Sequence, residues 1–299
     1  MIISSKVSVV LITYKRPERL AHAINTVVKQ AYQNIELLVV DGANSVKNQA
    51  VVNSFINNTK VKNTKKKIKY VPVEPEAVNM FSQYGMQHSR NVGCKKATGK
   101  YIAMLDDDDS WSPDKIEKQI SVFNDKDKIG LVTCYNKIIS DNKETVDKPR
   151  QFPEYSDLLE SFNLSSTSTF LFKRQILEEI GFWNEKLRGM HEYYFALKLT
   201  KLGYKIFVYP EPLMIKEWTT VGKSINQKGS YFYIKIAEVM DFWSYFGSDA
   251  FSVLSAKLFL KLCIKTVILF MLYILGYFVD TLDLILKLKN VYRRRIINE

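Results

Sequence analysis

Two rhythms of apolar and polar positions alternate along the first half of the chain. "KVSVVLITY" is a β-branched run between polar flanks, which predicts a buried strand. In the following "PERLAHAINTVVKQ", Leu20, Ile24, Val27 and Val28 fall at helical spacing, with Pro17 suited to the first turn. "IELLVV" is a second strand ending at Asp41, and the polar segment from Gly42 to Lys67 holds a helix around Gln49–Asn57. "KIKYVPV" reads as a third strand, "HSRNVGCKKATG" as a short helix stopped by Gly99, and "YIAML" as a fourth strand. "SPDKIEKQISVFN" is the next helix, with Ser112 as its N-cap before Pro113. "IGLVTCYNKII" follows as a strand and "SDNKE" as a turn.

This alternation predicts an α/β fold with a mostly parallel central sheet flanked by helices. Such sheets bind ligands beyond the carboxyl ends of their strands, where Asp41 and Asp106 stand. From Pro149 the pattern loosens. "STSTFLFKR" reads as a strand, "RQILEEIG" and "HEYYFALKLTKLG" as helices, and "YKIFVYPEPL" as a strand entering a turn. Internal repeats, GxGxxG and GxxxxGK[ST] are absent, so the two commonest glycine-rich phosphate cradles are excluded.

Composition changes the picture in one respect. With 299 residues, 46% hydrophobic and 25% charged, the chain is an ordinary globular one with room for one large domain or two modest ones. Its net charge of +12 is not ordinary, and directs attention to polyanions: nucleic acid, anionic lipid or phosphorylated substrates. The basic residues lie among long apolar stretches instead of interleaving with aromatics on a polar surface, which argues against nucleic acid. Cys94, Cys134 and Cys263 form no CxxC pair, so neither a zinc knuckle nor a disulfide framework is expected. The first strand-sized apolar run ends in a cluster of charges and does not read as a signal peptide, which places the protein on the cytoplasmic side.

The candidate chemistry centres on "YIAMLDDDDSW". Four adjacent carboxylates repel one another, so the run is either a solvated turn or the seat of a divalent cation. Its place at the end of a predicted strand favours the cation.

"VSVVLITYKRPERLAHAINTVVKQAYQNIELLVVDGANS", then "SRNVGCKKATGKYIAMLDDDDSWSPDKIEKQI", then "GFWNEKLRGMHEYYFALKLTKLGYKIFVYPEPL" resemble, in this order and spacing, family 2 glycosyltransferases with the GT-A nucleotide-diphospho-sugar transferase fold. The resemblance implies a nucleotide pocket begun by Thr13 and Tyr14, with Asp41 accepting a hydrogen bond from uracil and Arg90 flanking the nucleotide. Arg16, Asp106 and Asp107 join these substrate-binding positions. Asp106 and Asp108 occupy the DxD motif, with Mn²⁺ or Mg²⁺ as the cofactor. Asp107 is expected to face outward and Asp109 to hydrogen-bond the turn. Glu192 stands at the second position of the family's Glu-Asp pair and is the implied catalytic base. The sequence departs from the family at Ile12 for Pro, Lys15 for Asn, Gly42-Ala43-Asn44 for Asp-Gly-Ser, and His191 for the first acid of the pair.

These residue types suit the reaction. Hard divalent ions prefer oxygen ligands and stabilise charge growing on a leaving diphosphate. A carboxylate on the far side of the sugar can take the acceptor's proton in a single inverting displacement. The expected function is metal-dependent inverting transfer from a nucleotide-sugar donor, UDP first, to a glycan or lipid-linked acceptor in surface polysaccharide assembly. A catalytically inactive sugar-nucleotide-binding or scaffold protein is the alternative.

The expected organisation is a catalytic domain over 1–228, split at 110, and a helical region over 229–299. In the latter, the apolar run from Thr266 to Val279 is shorter than the ~20 residues a spanning helix needs. Lys257, Lys261 and Lys265 precede it; Asp280, Asp283, Lys287 and Arg293 to Arg295 follow. Basic flanks on both sides oppose a single span. Helices lying on an anionic membrane surface, peripheral or monotopic on its cytoplasmic face, are expected instead.

Overall fold

The computed structural model describes residues 5–74, 84–123, 128–140, 143–160, 164–187 and 191–218, with isolated helical positions between 243 and 271. Its elements run β1 (Val7–Thr13), α1 (Pro17–Val28), β2 (Ile35–Asp41), α2 (Val46–Asn57), α3 (Thr59–Lys62), β3 (Lys67–Pro72), α4 (Tyr84–Lys96), β4 (Tyr101–Asp106) and β5 (Asp109–Trp111). After these come α5 (Lys115–Val122), β6 (Ile129–Ser140), β7 (Lys143–Asp147), α6 (Tyr155–Glu160), a 3-10 turn (Thr167–Thr169), β8 (Leu171–Lys173), α7 (Ile176–Ile180), α8 (His191–Lys201) and β9 (Lys205–Trp218).

Among the described residues the strands form one sheet in the order β3-β2-β1-β4-β8-β6-β9-β5, with β7 on β6. The β3-β2-β1-β4 half is parallel, as the alternation predicts; β8 runs antiparallel between β4 and β6, and β9 is parallel to β6. β1 and β2 are buried along their whole length, which is why they read as mostly apolar runs, and the polar interruptions Ser8 and Glu36 hydrogen-bond each other. α1 buries Leu20, Ala23, Ile24 and Val27, four positions of one helical stripe. α4 lies close on the sheet because Gly93 has no side chain: a Cβ there would stand 2.4 Å from Val10 Cγ1 and 2.8 Å from Val40 Cγ2.

Three local expectations are corrected. Ser112 is not the N-cap of α5; Asp114 holds that place, and Ser112 Oγ donates to its carboxylate at 2.8 Å. Within "STSTFLFKR", Thr167–Thr169 form the 3-10 turn, where Thr169 bonds back to Ser166, and the strand is confined to Leu171–Lys173. The acidic run does not end in a loop: Asp109 opens β5, whose partner is β9, Asp109 opposite Lys216.

Met1–Gly222 form one compact unit and Lys223–Glu299 a second. The expected membrane-associating helices lie almost wholly outside the described residues. Among those residues no helix is long and apolar enough to cross a membrane.

Candidate active site

Register brings the first site residues together. Thr13 pairs with Asp41 across β1 and β2, and Ile12 with Asp106 across β1 and β4. The carboxyl ends of three adjacent strands thus form one ledge, and the Gly42 N–H ties it by donating to the Thr13 carbonyl at 3.0 Å.

The four aspartates have four different surroundings. Asp106 accepts from Arg90 Nη2 at 3.0 and 3.2 Å, while its own N–H donates to Ser168 Oγ. Asp107, expected to face outward, is 6% exposed. It turns inward because Thr13 Oγ1 donates to it at 2.7 Å and Arg16 Nη1 at 3.1 Å, welding the end of β1 to the acidic run. Burial pushes its carboxyl up to about 6, against Thr13 and Arg16, which favour the charge. Asp108 is half-buried and faces the guanidiniums of Arg16 at 3.6 Å and Arg19 at 3.7 Å.

Asp109 is 1% exposed and neither of its oxygens accepts a regular hydrogen bond, although Ser168 lies close enough to ease its charge. Burial pushes its carboxyl up to about 7; Lys216, with Nζ at 3.9 Å, opposes this, and Asp106 and Asp108 reinforce it. A buried carboxylate so poorly satisfied is costly unless a cation joins it. Asp106, Asp108 and Asp109 each offer an oxygen, all within 4.8 Å of one another. The donor set is therefore all-oxygen and three-fold, which fits a hard divalent ion. Asp109 belongs to it instead of merely bonding the turn.

The nucleotide-side positions are also placed. Tyr14 is exposed at the end of the ledge, with Lys15 Nζ 5.4 Å from its ring centre. Lys15 adopts φ 54, a left-handed conformation that Asn, the family's usual residue, accepts more easily. Asn44 likewise takes φ 45. Asp41 is fully buried and accepts from Ala43 N–H at 3.0 Å, Ser45 N–H at 2.8 Å and Tyr70 Oη at 2.9 Å, so its carboxylate organises the turn that follows β2. Arg90 is buried on α4, donates to Gln87 as well as Asp106, and stacks over the Trp183 ring.

On the other side, Glu192 is half-buried in the first turn of α8. Its neighbourhood is marked by Lys216: burial disfavours that ammonium, but Asp109, Asp108, Asp106 and Glu192 together keep it protonated. Of these, Asp109 faces Lys216 directly across the β5–β9 pair. His191 is buried, with Nδ1 unpartnered among the described residues. Burial and then Arg90 push its imidazole down to about 3, against Asp106, so it is neutral.

Sequence reasoning did not single out Arg19, Ser168, Trp183 or Lys216. Trp111 belongs to the core: Nε1 donates to the Ser168 carbonyl at 2.8 Å, and the buried Lys115 ammonium sits 4.2 Å from its ring centre.

The family model described as Glycosyl transferase family 2 matches residues 8–181. An uncharacterized glycosyltransferase of Nostoc sp. is 28% identical over 186 residues, 58% of this chain and 53% of its own length. The amylovoran biosynthesis glycosyltransferase AmsB of Erwinia amylovora is 25% identical over 244 residues, 76% of each chain. Among solved structures, a mannosyltransferase from Pyrobaculum calidifontis in complex with GDP-Man and Mn²⁺ superposes with TM-score 0.57 at 16% identity, over 80% of this chain and 63% of that one. S. aureus TarS 1–349 in complex with UDP gives TM-score 0.56 at 14% identity, over 80% and 65%. The chain therefore spans about half of the Nostoc relative (53%) and just under two thirds of the two solved chains (63% and 65%). At such identities the structural matches speak for the α/β fold alone.

Proposed function

The chain belongs to glycosyl transferase family 2 and is a glycosyltransferase of GT-A-like fold, and from that premise we propose that it transfers a sugar from a nucleotide-diphosphate donor, UDP first, to an acceptor hydroxyl with inversion. The observation that carries this reading is the three-oxygen cluster of Asp106, Asp108 and Asp109 at the carboxyl end of the sheet.

Asp106, Asp108 and Asp109 would hold Mn²⁺ or Mg²⁺, which supplies charge stabilisation for the leaving diphosphate. Arg90 orients Asp106, and Asp107 anchors Arg16 beside the diphosphate. Thr13 and Tyr14 border the nucleoside. Asp41 shapes the turn against the base and leaves Oδ1 with one accepting position. Glu192 takes the proton from the attacking hydroxyl. The neutral His191 beside it cannot compete electrostatically for that proton as a second anion would. UDP as the nucleotide is supported by TarS, solved with UDP and with UDP-GlcNAc; the mannosyltransferase, solved with GDP-Man, keeps guanine in the test.

The experiment is a panel of nucleotide sugars offered to the full chain, with released nucleotide measured with and without chelator. Release from one donor, dependent on metal, is expected. Tight donor binding with no release under any acceptor would favour the inactive scaffold instead.

We further propose that residues 1–228 carry the catalysis and that 229–299 hold the enzyme on an anionic membrane, where a lipid-linked acceptor would be met. Leu260, Ile264, Val267 and Met271 are each helical and exposed, and their spacing of i, i+4, i+7 and i+11 is that of one helical face, with Lys257, Lys261 and Lys265 beside them in sequence. The full chain should co-sediment with anionic vesicles, and high salt should release only part of it, because salt screens lysine attraction and leaves apolar burial intact. Serine at all four stripe positions should abolish co-sedimentation. A full-length protein that stays in solution without detergent and ignores anionic vesicles overturns this.

A further inference from the structure

Lys216 has no role in the reading above beyond facing Asp109. It projects from β9 opposite Asp109 in the sheet register, so the strand pairing fixes its backbone relative to the acidic run. An ammonium that served only as counter-ion to a buried carboxylate would close to hydrogen-bonding distance. Here Nζ stays at 3.9 Å from Asp109 Oδ1, and among the described residues it donates no hydrogen bond. The donors of this mostly buried ammonium thus have no close acceptor among the described residues.

Lys216 stands at the edge of the acidic ledge: its register partner Asp109 shares the three-oxygen cluster with Asp106 and Asp108. Asp106, Asp108 and Asp109 form the candidate metal ledge, and Glu192 is the proposed base. A diphosphate held by a cation on that ledge would lie beside Lys216, and in the transfer its bond to the sugar is the one that breaks. Negative charge develops on the diphosphate oxygen as this bond breaks, and a fixed cation aimed there stabilises it without reorganising.

We propose that Lys216 binds the diphosphate of the donor, as a positive charge borne by the protein beside the metal position. This rests on the glycosyltransferase site proposed above. No bond to Lys216 is made or broken; the ammonium donates to a phosphate oxygen and keeps its protons.

The test is calorimetric binding of UDP and UMP in Mn²⁺, and of Mn²⁺ alone, to the full chain and to Lys216→Gln, Lys216→Met and Lys216→Arg. Loss of one charge-assisted contact should weaken UDP binding at least about tenfold in the Gln and Met variants. UMP binding should stay within about twofold, since the distal phosphate is missing, and Arg should recover most of the loss. Affinity for Mn²⁺ alone should hold or tighten, because a cation has left an acidic cluster. Equal loss of UDP and UMP, weaker Mn²⁺ binding, or unchanged UDP binding would overturn the assignment. If Gln fails to fold, Met, which keeps the apolar stem, reads the same outcomes. A wild type that binds no nucleoside diphosphate in Mn²⁺, UDP or GDP, removes the donor site itself; normal wild-type binding with unaltered variants removes only Lys216.

Discussion

Asp108→Asn is expected to abolish transfer while leaving the fold intact. The substitution keeps shape and removes charge, so the metal loses one of its three anionic oxygens. A cation that stabilises a leaving diphosphate contributes several kcal/mol to the barrier, and its loss should lower the rate by ~10³-fold or more. Stability should change by less than about 1 kcal/mol, because the partners of Asp108 are the exposed Arg16 and Arg19 at 3.6 and 3.7 Å, and such pairs contribute little. Chelator should inactivate the wild type and Mn²⁺ or Mg²⁺ restore it. Full activity in chelator would mean that the aspartates serve only to solvate and order a turn.

Glu192→Gln probes the other half of the reaction. Gln keeps the length and hydrogen-bonding reach of the side chain but cannot accept the acceptor's proton. General-base catalysis contributes ~10²–10⁴-fold, and kcat should fall by about that factor. Donor affinity should stay near normal, since the groups proposed to bind nucleotide stand on other elements. Folding should cost no more than ~0.3–1 kcal/mol, the worth of one acidic residue in the first turn of a helix. Weakened donor binding would move Glu192 to the nucleotide side. Near-normal turnover would hand the base to another carboxylate; Glu185, which accepts from Asn91 Nδ2 at 2.7 Å, is already committed structurally.

What was legible in the sequence was what local pattern encodes. β1 and β2 are mostly apolar because both are buried along their whole length, and α1 shows its buried stripe openly. Asp41 and Asp106 could be placed at strand ends from that pattern alone. The inward turn of Asp107 could not, because its cause is a hydroxyl and a guanidinium some ninety residues earlier, at Thr13 and Arg16. β5 escaped for the same reason: three residues carry no periodicity, and the partner strand lies about a hundred residues on. Lys216 sits in "PLMIKEW", where one lysine in an apolar strand has no signature until the register sets it against Asp109. Glu192 and the DxD positions came from family likeness; a lone Glu at a helix start says nothing by itself.

The four aspartates face four cations: Arg90 at 3.0 Å from Asp106, Arg16 at 3.1 Å from Asp107 and 3.6 Å from Asp108, Arg19 at 3.7 Å from Asp108, and Lys216 at 3.9 Å from Asp109. The ledge is therefore an ion exchanger more than an acidic hole. A divalent ion arriving alone would displace guanidiniums and leave surplus positive charge behind. A diphosphate arriving alone would take the guanidiniums and strand the carboxylates. A divalent ion and a sugar-nucleotide diphosphate together would swap partners with the ledge at no net change in charge, so the arrangement favours loading them as one neutral pair, whereas the product nucleoside diphosphate would carry one more negative charge.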